Sequence, residues 1–208
     1  MYYTVRTTKF MENEMEYTET YLRLSHGTDL NSAQNIMENG FEITGDTSSW
    51  CGRGVYFYDI KAKAWWAANR KCEEIKKRTG SQIKKTVVFA DIIDIKKTDI
   101  FDLRIKNDLD AFEMFAIPFL SGENKIVLSD VEDDNERIIL LRAMLISFFA
   151  DQDRKKLVIG DFRQRPQPLY EQAIEFADAL DMIFGIETIY CVKDTSVISN
   201  ICLGGNII

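Results

Sequence analysis

Leu22-Arg23-Leu24-Ser25-His26-Gly27-Thr28 and, about thirty residues on, Cys51-Gly52-Arg53-Gly54-Val55-Tyr56-Phe57 are the stretches on which the fold turns. Leu22 and Leu24 alternate with polar residues, the pattern of a half-buried strand. That strand runs into His26, the only histidine in the chain. The second stretch is a glycine-flanked turn opening into a Val-Tyr-Phe-Tyr strand, in which Tyr56 and Phe57 point to opposite faces.

Between them, Asn31–Asn39 reads as a helix, with Ala33, Ile36 and Met37 at helical spacing, Asp29 or Asn31 as its cap and Gly40 as its stop. Phe41–Ile43 is expected to be a short strand, and 45–54 a loop rich in turn residues. Downstream, Ile60–Arg78 reads as a long helix carrying Ala64, Ala67 and Ala68, with lysine and arginine in its last turns and Gly80 closing it. Lys85–Ile95 and Ile100–Leu103 read as extended. Asp108–Phe115 reads as a short helix ending near Pro118, Glu132–Phe149 as a long one, and Leu169–Ile183 as another. Lys156–Ile159, Thr188–Val192 and Val197–Ile201 complete the strands. Strands outside and helices between, with a helical insertion at about 104–184, predict a single α+β domain over 1–208.

The 208 residues are enough for one substantial core. A net charge of −7 argues against a field that holds nucleic acid to the whole surface, while leaving room for a local basic groove. Cys51, Cys72, Cys191 and Cys202 show no metal-ligand spacing, so neither a zinc site nor a disulfide framework is expected. The acidic start (Glu12, Glu14, Glu16, Glu19) lacks the apolar run of a signal peptide. The longest apolar runs, broken by Arg142, are too short to span a membrane. The expectation is a soluble cytoplasmic protein, or one delivered into the cytoplasm of a target cell, with no membrane association.

Taken in order, His26-Gly27-Thr28, the helix ending Asn39-Gly40-Phe41, Gly52-Arg53-Gly54-Val55-Tyr56-Phe57 and the alanine-rich helix resemble the NAD-binding half of ADP-ribosyltransferases. The likeness is to the histidine–tyrosine branch shared by poly(ADP-ribose) polymerases and diphtheria-type toxins, and it covers about a quarter of the chain. It implies a split β-sandwich with flanking helices, and NAD as substrate with no metal. It assigns the nicotinamide carboxamide to the backbone of Gly27, the nicotinamide ring to Tyr56 and the adenosine-side ribose to His26. Thr28 and Gly54 belong to the same cofactor wall. Such roles make physical sense, since glycine admits close approach of a planar amide and an aromatic face suits a cationic heterocycle. Breaking the glycosidic bond leaves an oxocarbenium-like ribose that requires positioning and electrostatics.

Two family positions differ. A serine expected eight residues after the motif tyrosine is Ala64, and a second tyrosine three further on is Ala67, so Trp65 or Trp66 would supply the second aromatic wall. The family's catalytic glutamate corresponds to Glu187 with a two-residue slip, or to Ile189 without one; both lie on one face of a strand. A glutamate there would hold a ribose hydroxyl and activate an acceptor. Every one of these residues also has an ordinary reading: a structural histidine, a core tyrosine, turn glycines, a tryptophan pair packing helix on sheet, a solvated Glu187. Asp161-Phe162-Arg163-Gln164-Arg165-Pro166 reads as a charged surface loop, with phosphate contact as its alternative reading, and Glu132-Asp133-Asp134 as an acidic helix start.

The resemblance implies a mono-ADP-ribosyltransferase of the toxin or effector kind. Its partners would be NAD, a protein or nucleic-acid acceptor, and an antitoxin or immunity protein. An NAD glycohydrolase, a non-catalytic NAD or ADP-ribose-binding module and an RNA 2′-phosphotransferase are the competing readings.

Overall fold

A computed structural model of the chain describes residues 18–43, 49–121, 124–163 and 186–204. The expected helix at Leu169–Ile183, Glu12, Glu14 and Glu16 of the acidic cluster and Gln164-Arg165-Pro166 lie outside the described residues, whereas Glu19 is buried in the first strand.

The chain opens with β1 (Thr18–Asp29), which passes directly into α1 (Leu30–Asn39). Asp29 caps that helix by accepting the Ser32 N–H at 2.9 Å. Gly40, at φ 81°, takes a positive-φ conformation that glycine favours, and its N–H closes the helix on Ile36 O at 2.9 Å. The predicted strand at Phe41–Ile43 does not form; Phe41 instead packs its ring against His26 and Phe57, with centroids 5.2 and 5.1 Å away. Next come β2 (Val55–Tyr58), α2 (Lys61–Thr79), β3 (Lys85–Lys96) and β4 (Ile100–Asp102). Helices α3 (Lys106–Leu120) and α4 (Asp134–Gln152) follow. Pro118 sits within the last turn of α3, where its missing N–H costs one ladder bond without stopping the helix, so α3 outruns its predicted end. The chain then returns to the sheet as β5 (Leu157–Arg163), β6 (Ile186–Val192) and β7 (Ile198–Gly204). The span 104–184 is therefore helical only in part, because β5 joins the sheet between β4 and β6.

The fold is α+β, with a seven-stranded mixed sheet in the order β4-β5-β6-β2-β1-β3-β7. Only β4 and β5 run parallel among the described pairs. The ladder is continuous, with β1 and β2 joining its two halves. The join is slender: β1 meets β2 at Ser25↔Tyr58, whereas β1 follows β3 from Thr18↔Lys96 to Asp29↔Lys85.

Two apolar layers flank the sheet. On one side Tyr21 of β1 meets Tyr190 of β6 edge-on, centroids 5.4 Å apart, although β2 lies between those strands in the ladder. The sheet therefore curls so that its two halves share a core containing Leu24, Phe57, Val88, Ile92 and Ile159. The other layer, with Cys51, Tyr58, Phe101, Ile146, Val158 and Ile189, lies under α2, α3 and α4. Among the described residues no helix is long and apolar enough to cross a membrane.

Candidate functional site

The site is built where β1 and β2 part. Tyr56 and Tyr58 both turn their carbonyls toward β1. Tyr58 O takes the Ser25 hydroxyl at 2.8 Å, and Tyr56 O takes His26 Nδ1 at 2.8 Å. Antiparallel pairing alternates residue by residue, and Leu30 N–H donates to Lys84 O on the β3 side. The even residues of β1 thus address β3, and the N–H and C=O of Gly27 point into the gap toward Tyr56. The imidazole has taken the carbonyl that a continued ladder would give to Gly27.

Because a carbonyl only accepts, Nδ1 of His26 carries the proton, which leaves Nε2 as an acceptor. Burial, opposed by the bond to Tyr56 O and assisted by the Lys71 charge, lowers the pKa of His26 to about 4. The ring is therefore neutral at pH 7. It borders a cleft of about 370 Å³ whose walls include Thr28, Asn31, Asn35, Glu42, Gly54 and Lys71. Such a volume lies within the range of small-molecule sites. Lys71 reaches in from α2, bonding Thr28 Oγ1 at 2.8 Å and Ser32 Oγ at 3.1 Å and pairing with Asp29 at 3.1 Å. Burial would raise the Asp29 pKa, but the Ser32 and Lys71 hydrogen bonds outweigh it and hold the carboxyl at about 2.

The other face of the sheet carries Tyr56. Its register opposite Cys191, with Tyr58 opposite Ile189, puts Tyr56, Tyr58, Ile189 and Glu187 on the same face. The Tyr56 hydroxyl accepts from Cys51 N at 3.0 Å and donates to Gly52 O, so the ring is fixed to the glycine turn. Burial, above all, raises its pKa. Glu187 is 3% exposed, far from the solvated residue of the ordinary reading, and it forms an ion pair with Lys63 of α2. Its neighbour across the β5–β6 ladder is Phe162. Above Phe162 lies the Arg142 guanidinium of α4, 5.1 Å from that ring and 4.5 Å from Trp50. Among the described residues the buried Nε and Nη2 of Arg142 have no hydrogen-bond partner, and burial lowers its pKa.

His26, Thr28 and Gly54 thus come together around one cleft, while Tyr56 and Glu187 share the opposite face, with Gly27 at the gap between. Gly27 has a packing role as well: a Cβ there would lie 1.8 Å from Ala64 O, so only glycine lets α2 sit this close to β1. Trp66 stands apart. It is 38% exposed, on the solvent side of α2, with Arg70 5.3 Å over its ring, so it does not face Tyr56. Trp65 is the one that packs inward.

Lys63, Lys71 and Arg142 were not legible as site residues, since a lysine one turn into a helix, or an arginine amid an apolar run, looks like ordinary surface or interruption. Comparison of the chain with protein-family models, with curated proteins and with solved structures returned no match.

Proposed function

We propose that the protein is an NAD-consuming mono-ADP-ribosyltransferase whose substrate threads the gap between β1 and β2. The observation that carries this reading is the parted ladder itself. His26 Nδ1 occupies Tyr56 O, the Gly27 amide faces the gap, a cleft opens on the His26 side, and a buried carboxylate waits on the Tyr56 side.

In this reading the adenosine half lies in the His26 cleft, its ribose donating a hydroxyl hydrogen to Nε2, with Asn31 and Asn35 at the base. The Gly27 N–H and C=O hold the nicotinamide carboxamide, and the Tyr56 ring supports the heterocycle. Arg142 offers its unspent donors to the diphosphate. When the C1′–N bond breaks, nicotinamide leaves with the bonding electron pair. Glu187 stabilises the ribosyl cation, the acceptor oxygen or nitrogen bonds to C1′, and its proton passes to the carboxylate. Lys63 pairs with Glu187 and holds its carboxylate at this face. Such an enzyme acts on a macromolecule inside a cell, and an effector or toxin restrained by an inhibitor protein is the setting that suits it.

The test is incubation with NAD labelled in the adenylate moiety and a cell lysate. Label carried into macromolecules by the wild type and lost in Glu187→Gln supports transfer. Release of nicotinamide and free ADP-ribose alone would mean a glycohydrolase, and an unchanged NAD pool would refute the proposal.

A further inference from the structure

The segment 61–85 holds nine lysines and arginines against Glu73 and Glu74, a net of +7 in a chain whose total is −7. Positive residues in the last turn of a helix complement its dipole, and Lys76, Lys77 and Arg78 fit that rule. The rule does not explain Arg70, in mid-helix over the exposed ring of Trp66. Nor does it explain Lys84 and Lys85, which come from beyond the helix to face it. Lys76, Lys84 and Lys85 border a hollow of about 710 Å³, walled also by Trp65, Asn69 and Glu73, while Arg70 and Trp66 lie outside its lining. The buried indole Nε1 of Trp65 has no hydrogen-bond partner among the described residues.

We infer that α2 and the turn after it form a docking track for a single-stranded nucleic acid, which is the acceptor of the reaction proposed above; the inference rests on that reading. Three features favour this partner over an acidic protein. The positive charge is concentrated in one segment of an otherwise acidic molecule, and although Lys63, Arg70 and Lys71 are ion-paired with Glu187, Glu74 and Asp29, Lys76, Lys77, Arg78 and Lys84 cluster at the helix end and the turn after it, where a polyanion could lie. An exposed tryptophan lies within the strip, offering the flat face on which an unpaired base stacks regardless of sequence. The strip also leads to the reaction site, because Lys63, near its start, pairs with Glu187. From Lys63 to Lys76 is about 20 Å along a helix, so one strand can lie on the track while a base or ribose reaches Glu187.

The experiment measures binding of fluorescent single-stranded DNA and RNA oligonucleotides by anisotropy at several salt concentrations. The variants are Lys76→Gln/Lys77→Gln/Lys84→Gln and Trp66→Ala, each confirmed folded by circular dichroism. The triple variant is expected to lose at least tenfold in affinity near 0.1 M salt and to lower the log–log salt slope by about two, as three lost phosphate contacts require. Trp66→Ala is expected to lose about tenfold with little change in slope. The DNA and RNA arms show which backbone is preferred. Failure of both oligonucleotides to bind, or a triple variant that binds as the wild type does, overturns the inference. So does label from NAD that protease removes and nuclease does not. NAD hydrolysis to water by the triple variant should match the wild type. Oligonucleotide binding without any NAD turnover would count against the NAD reading and not against the track.

Discussion

Replacing His26 by phenylalanine offers an unusually direct reading of the gap, because the chain has no other histidine. In the native protein the ring is neutral, with its pKa lowered from 6.5 to about 4, chiefly by burial. The unfolded chain therefore binds a proton between those values that the folded chain refuses, and stability must fall as pH drops from about 6.5 toward 4. A shift of this size removes about 2 kcal/mol between pH 7 and pH 5, and about 1–2 once the ring's residual exposure is allowed for. His26→Phe has no proton to bind, so it should lose that decline. It should also start about 1 kcal/mol less stable at pH 7, since Tyr56 O forfeits its donor. Urea denaturation of both proteins at pH 7.0, 6.0 and 5.0 measures the difference. Parallel pH dependences would refute the argument, because they would mean that His26 titrates normally and does not sit neutral on the Tyr56 carbonyl. Asp29 does not confuse the comparison: its depressed pKa, about 2, confers stability that is lost only below the normal carboxylate range.

Other outcomes follow from the same geometry. Gly27→Ala would press a methyl group into the backbone of α2 at Ala64, so it should cost more than about 3 kcal/mol; a melting temperature within a degree or two of wild type would show that α2 is not so close. Tyr56→Phe keeps the ring but removes both hydrogen bonds to the glycine turn, which should cost about 1–2 kcal/mol while sparing NAD affinity; Tyr56→Ala should lose both, and an Ala variant that still turns over NAD would remove Tyr56 from the site. Glu187→Gln should lower transfer at least a hundredfold and leave NAD binding within about threefold, as a group acting on the cationic ribose requires. Unimpaired transfer would hand the third position to another residue.

The α+β class and nearly every described element were legible because period and punctuation agree: alternation into His26, Asp29 as cap, Gly40 and Gly80 as stops. What escaped reading depended on tertiary position. Phe41 has the composition of a strand residue, but an aromatic cluster with His26 and Phe57 claims it. Pro118 looked like a terminus, yet a proline in the final turn sacrifices a single bond. Trp65 and Trp66 are adjacent in sequence, and only the seating of α2 decides which one turns inward. Glu187 and Ile189 were correctly placed on one face. The burial of Glu187 and its Lys63 partner come from a helix more than a hundred residues earlier, which no local pattern encodes. The chain's acidic total likewise concealed the basic strip on α2, because net charge averages over surfaces that a partner meets separately.

The most direct test of the account is a crystal structure of the protein with a non-hydrolysable NAD analogue. The account predicts the adenine-side ribose within hydrogen-bond distance of His26 Nε2, the carboxamide paired with the Gly27 N–H and C=O, and the nicotinamide ribose beside Glu187. A dinucleotide bound elsewhere, or density absent from the His26 cleft at saturating analogue, would contradict it.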